Sequence, residues 1–102
     1  MRSIVETDRL AEQLGAALCD LVEASGHQHV AEQVRDMVLP FDAGGALDIA
    51  ANDIDIYDID PTPVMQLARI YDEALGYDHT ILEILERVQA RHHPNGDADQ
   101  TA

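Results

Sequence analysis

The chain has no lysine and no tryptophan, a single cysteine (Cys19), and only Phe41, Tyr57, Tyr71 and Tyr77 as aromatic residues. Each shortage excludes something. One cysteine cannot form an intrachain disulfide and suits a reducing compartment. Cys19 lies within an amphipathic helical pattern, so packing is expected of it rather than nucleophilic chemistry. With so few rings, a core must be built from Leu, Ile, Val and Ala, which suits packed helices. No apolar run approaches the roughly 20 residues of a membrane span, and no apolar leader segment follows Arg2. A cytoplasmic protein with no membrane partner is the expectation. The largest shortage is of positive charge. Between Arg35 and Arg69 there is no basic residue, while Asp36, Asp42, Asp48, Asp53, Asp55, Asp58 and Asp60 fall in that interval.

What is present is acid. Against 6 arginines stand 20 Asp and Glu, a formal charge of -14 over 102 residues. Such a charge keeps a protein soluble but opposes compaction by self-repulsion, so it points to a use other than stability. A strongly basic partner is the simplest one; anionic lipid and nucleic acid would themselves be repelled. The apolar fraction, 46%, is that of a globular chain. One helical domain is expected over 1–91, with a disordered polar tail over 92–102.

Ser3 and Glu6 have capping-box spacing, and Leu10, Leu14, Ala17, Leu18, Leu21 and Val22 follow with helical period. Gly26 is a natural stop. Val30, Val34, Met37 and Val38 repeat the stripe before Pro40. The middle reads two ways. Leu47, Ile49, Ile54, Ile56 and Ile59 alternate with aspartates, as in a hairpin around Asn52-Asp53. The alanines at 46, 50 and 51 suit a short helix instead. The expectation adopted is helix over 43–51 and an extended or irregular segment over 53–60. Asp60-Pro61-Thr62-Pro63 then starts another helix, with Thr62 as N-cap. Val64, Leu67, Ala68, Tyr71, Ala74 and Leu75 form its stripe, which resumes with Ile81, Leu82, Leu85 and Val88. Gly76 could divide it. The expected core is Leu10, Leu14, Leu18, Leu21, Val30, Val34, Leu67, Tyr71, Leu75, Leu82 and Leu85.

Chemistry-bearing motifs are absent from the sequence. The aspartate run 53–60 fails as a calcium loop, with Tyr57, Asp58 and Val64 where ligand, glycine and closing glutamate belong. His27, His29, His92 and His93 lack zinc-site spacing and read as solvated. Thr7, Ser25, Thr62 and Thr80 occur in no nucleophile elbow, and no glycine-rich phosphate loop exists. Neither an enzyme nor a cofactor or metal site is expected.

The acidic face has a natural scale. Duplex DNA carries one charge per ~1.7 Å of axis, so 14 charges correspond to roughly 7 base pairs, about 24 Å. A two-fold dimer would present on the order of 14 base pairs. Such a body could satisfy a DNA-binding groove without being read, because phosphate contacts carry no sequence information.

The stretch from about His29 to Val88 resembles the phage antirestriction proteins of the Ocr type, which mimic bent B-form DNA. The resemblance is carried by Ala68-Arg69-Ile70-Tyr71-Asp72 in an amphipathic helix, Val38-Leu39-Pro40-Phe41 in a turn, Ala43 and Ile49-Ala50 in a short third helix, and Ile54-Asp55-Ile56 in an extended acidic piece. The chain departs from that family in keeping arginines in its helices, in having fewer aromatics, and in Gly44-Gly45 and Gly76. The residues place helices near 4–25, 28–38, 43–51 and 62–91, the last divided at Gly76 by its own signals; the resemblance implies an all-α fold whose long last helix is continuous, and continuity over 62–91 is the expectation adopted. The resemblance implies a homodimer through the third helix, where Ala46, Leu47, Ile49 and Ala50 would meet. It also implies inhibition of a host defence enzyme with a basic groove, such as a type I restriction-modification complex, in the host cytoplasm. The acids expected to imitate phosphates are Asp42, Asp48, Asp53, Asp55, Asp58, Asp60, Asp72 and Glu73. Two alternatives stay open: an acidic immunity protein, antitoxin or CRISPR-effector inhibitor that plugs one basic effector, and a structural or regulatory module whose acidity serves only solubility.

Overall fold

The computed structural model describes residues 3–94. Helix α1 (Ile4–Ala24) is followed by α2 (Gln28–Met37), α3 (Ala43–Ile56), a 3-10 turn (Thr62–Val64), α4 (Met65–Ala74) and α5 (Thr80–His92). No strand occurs among the described residues. The all-α expectation therefore holds, and the hairpin alternative does not.

Helices α1 and α3 pack on each other at the centre, with α2 on both, α4 on α1 and α5 on α3 and α4. Their buried faces carry Leu14, Leu18 and Val22 of α1, Leu47 and Ile54 of α3, and Leu85 and Val88 of α5. Cys19 is buried with them, and burial pushes its thiol up, so it stays a packing group. Leu10, Leu21, Val30, Leu67 and Leu82 pack at the margin of this core. Leu75 does not: it is 39% exposed at the end of α4.

Three helices stop in the same way. After α1, Gly26 takes φ 97°, its N–H donates to the Glu23 carbonyl (3.0 Å), and His27 N–H donates to that of Val22 (3.1 Å). This is the Schellman arrangement, which satisfies carbonyls left over at a helix end. After α4, Gly76 (φ 78°) and Tyr77 repeat it, bonding to Glu73 and Asp72. The expected continuous helix over 62–91 is therefore wrong: α4 ends at Ala74, and α5 begins anew at Thr80, held by Asp78. The Gly76 signal outweighed the resemblance.

The third stop corrects the middle segment. Helix α3 runs through Asp53 and Ile54 to Ile56, and after its C-cap Tyr57 the chain turns at Asp58, a non-glycine residue at φ 53°. Burial of Ala46, Leu47, Ala50, Ala51 and Ile54 follows a helical period, and Ile56 points outward. In a strand Ile54 and Ile56 would share a face; tertiary packing decided for the helix. Thr62 also caps nothing through its side chain. Asp60 instead accepts from the Thr62 N–H (3.1 Å) and hydroxyl (2.6 Å) and opens the 3-10 turn.

Candidate acidic interface

Ala46, Leu47 and Ala50, expected at a dimer face, are packed inside the chain's own core; Ala50 is 1% exposed. A helix has one face per stripe, and this one is used against α1 and α5. Only Ile49 of the four reaches solvent. Three of the four residues expected at the dimer face are therefore not on the surface of the folded chain.

The eight expected acids separate into three situations. Asp55, Asp58 and Asp60 gather under the C-terminal end of α5. Arg91 reaches Asp55 with Nη2 (2.8 Å) and Asp58 with Nε (3.2 Å). His92 Nε2 lies 2.9 Å from the Asp58 carbonyl and 3.3 Å from its carboxylate, and His93 Nε2 lies 2.8 Å from Asp60. So His92 and His93 clamp two elements together instead of standing free in solvent. His92 also closes α5, so the expected tail cannot begin there; its remainder over 95–102 lies outside the described residues. Burial raises the Asp60 carboxyl, but bonds from the Thr62 hydroxyl, His93 and the Thr62 N–H outweigh it and hold it low.

Asp72 and Asp53 have turned inward. Asp72 is 4% exposed, accepts the His79 N–H (2.6 Å) and pairs with His79 Nδ1 (2.8 Å). It ties the α4–α5 turn, in which Tyr77 and His79 both have positive φ, and cannot face a partner. Asp53 is half-buried near His27, which stacks on Tyr57 at 3.8 Å between centroids. Burial pushes its carboxyl up, and His27 opposes this.

Asp42, Asp48 and Glu73 are exposed. Asp42 is the N-cap of α3, its Oδ1 accepting from Gly45 N–H at 2.9 Å. A side chain at 45 would collide with that carboxylate, which explains the glycine. Asp42 also meets two acids that the sequence reading passed over. Asp8 and Glu12 of α1 join it around a hollow of about 280 Å³ beside Pro40 and Phe41. The signal was available: Asp8 and Glu12 stand four residues apart on one helix face, the spacing at which opposite charges support each other and like charges do not. Neither has an ion-pair partner among the described residues. Tyr71 lies near this end, 7% exposed; burial pushes its phenol up, helped by the charges of Asp48, Asp78 and Asp8.

Among the described residues no three His, Cys, Asp or Glu side chains are placed to hold a metal ion, and no helix is long and apolar enough to cross a membrane. Comparison of the chain with protein-family models, curated proteins and solved structures found no match.

Proposed function

We propose that this protein is a DNA-mimic inhibitor: it occupies the DNA-binding groove of a defence enzyme, such as a type I restriction-modification complex, and is itself neither an enzyme nor a nucleic-acid binder. The observation that carries this reading is the disposition of its charge. Of the acids in the described residues, Asp72 alone is buried, while Arg35 and Arg91 are each spent on two carboxylates, Asp20 with Glu23 and Asp55 with Asp58. Most of the other described acids, among them Asp8, Glu12, Asp36, Asp42, Asp48 and Glu86, lie exposed. A groove lined with Lys and Arg gains from such a body what it gains from phosphates, a long-range attraction insensitive to sequence.

The test is competition. With a type I restriction enzyme and a duplex lacking its recognition sequence, the protein is expected to displace the duplex, and its own affinity to fall steeply from 50 to 200 mM salt. An enzyme that holds DNA equally well at saturating inhibitor would count against the whole reading. The localised hollow beside Phe41 supports a second reading, an immunity protein or effector inhibitor that plugs one basic protein; in that case a single substitution there would abolish binding to it.

A further inference from the structure

The hollow between α1 and the turn joining α2 to α3 combines two properties. Its rim is Asp8, Glu12 and Asp42, and beside them the Phe41 ring is 84% exposed. The ring is not on a loose loop. Phe41 N–H donates to the Val38 carbonyl (3.0 Å), as does Asp42 N–H (2.7 Å), and Leu39 N–H donates to Val34 (2.9 Å). Leu39 in turn sits over Gly15 of α1, where an added Cβ would stand 2.8 Å from Leu39 Cδ1. The turn is thus pinned to α1 and holds an aromatic face in water beside carboxylates.

That combination selects a ligand chemistry. An ammonium is a compact, strongly hydrated charge, whereas a guanidinium is planar, weakly hydrated, stacks on aromatic faces and presents a fork that fits carboxylates. The hollow, about 280 Å³, lies at the lower end of the roughly 300–1,000 Å³ of small-molecule sites and has room for one such side chain. A second copy of the chain is a poor occupant, because it is itself strongly acidic.

We propose that this hollow is the docking point for an arginine side chain of a basic protein partner, its guanidinium stacked on Phe41 and bonded to Asp8 and Glu12. The proposal rests on the inhibitor reading and deepens it: distributed charge brings the partner in, and one arginine anchors it at this end of the molecule.

The experiment uses the full chain, labelled with 15N, titrated with a nona-arginine peptide, and parallel anisotropy titrations with fluorescent nona-arginine and nona-lysine. Amide shifts are expected to concentrate near 8–12 and 39–44. Phe41→Ala, exposed and therefore harmless to the fold by circular dichroism, should weaken nona-arginine binding about two- to five-fold and nona-lysine binding less. Asp8→Asn/Glu12→Gln should lose more affinity than the charge-matched pair Asp36→Asn/Glu86→Gln. Equal losses from the two pairs, with Phe41→Ala silent, would overturn the arginine site while leaving a salt-dependent inhibitor intact. If the wild-type chain binds neither peptide at low salt, the inhibitor reading itself fails.

Discussion

Asp72 shows how a single acid can leave the surface and become structural. It accepts a backbone N–H and pairs with the same histidine's ring at the α4–α5 turn. Hydrogen bonds to charged groups contribute about 1.5–3 kcal/mol, so Asp72→Ala should lower unfolding stability by roughly that amount in urea melts, without changing affinity for a basic peptide. Asp53 and Asp60 predict opposite pH behaviour. Asp60 is held low in the fold, so its contribution is present above the unfolded value, about 3.9. It is lost as pH falls through the lower folded value. Asp60→Ala should therefore reduce Tm at neutral pH, with the difference from wild type closing in acid. Asp53 is pushed up by burial, so its charge costs stability above its folded value and costs nothing once it is protonated. Asp53→Asn should raise Tm at neutral pH, and this gain should vanish as pH falls below the ordinary carboxylate range. Thermal melts across pH 3 to 8 check both signs.

At the scale of elements, the decisive features are helix ends. Gly76 distinguishes two architectures by the sign of one substitution. In a continuous helix Gly→Ala would stabilise by about 1 kcal/mol. At φ 78° alanine takes the left-handed conformation, at a cost of roughly 1–2 kcal/mol. Gly76→Ala should therefore lower the urea midpoint. Helix α3 makes a second distinction. Ala50 lies inside the core between α1 and its neighbours, so Ala50→Asp buries an unpaired carboxylate. Loss of the far-UV helical signal, or a destabilisation of more than about 3 kcal/mol, is expected. A folded variant that had merely changed its sedimentation coefficient would instead revive α3 as a subunit contact.

For the whole molecule, charge acts collectively before it acts locally. Exposed pairs are worth at most about 1 kcal/mol each, so neutralising one of Asp42, Asp48 or Glu86 should leave inhibition nearly unchanged. Removing four or more together should lower affinity in steps, mainly through slower association, with a weaker dependence on salt. Stopped-flow association rates at two ionic strengths measure this. Asp55, Asp58 and Asp60 are expected to contribute less than their sequence density suggests, because Arg91, His92 and His93 already stand against them.

The sequence alone determined the helical class, the -14 charge and most of the punctuation. Ser3, Gly26, Pro40 and Gly76 act through their own backbone chemistry, and a local signal of that kind can be read without knowing the fold. The alternating isoleucines and aspartates after Ala51 could not be settled this way, since two periods fit the same letters until Ile54 finds its place in the core. The tertiary structure alone decided which acids are available. Asp55, Asp58 and Asp60 meet partners more than thirty residues away, Asp72 is enclosed by the turn it ties, and Asp8 and Glu12 share a hollow with Asp42 and Phe41 beside the place where Leu39 closes onto Gly15. Charge is a property of composition, but its neutralisation depends on distances of a few ångströms, and those exist only after the helices have packed.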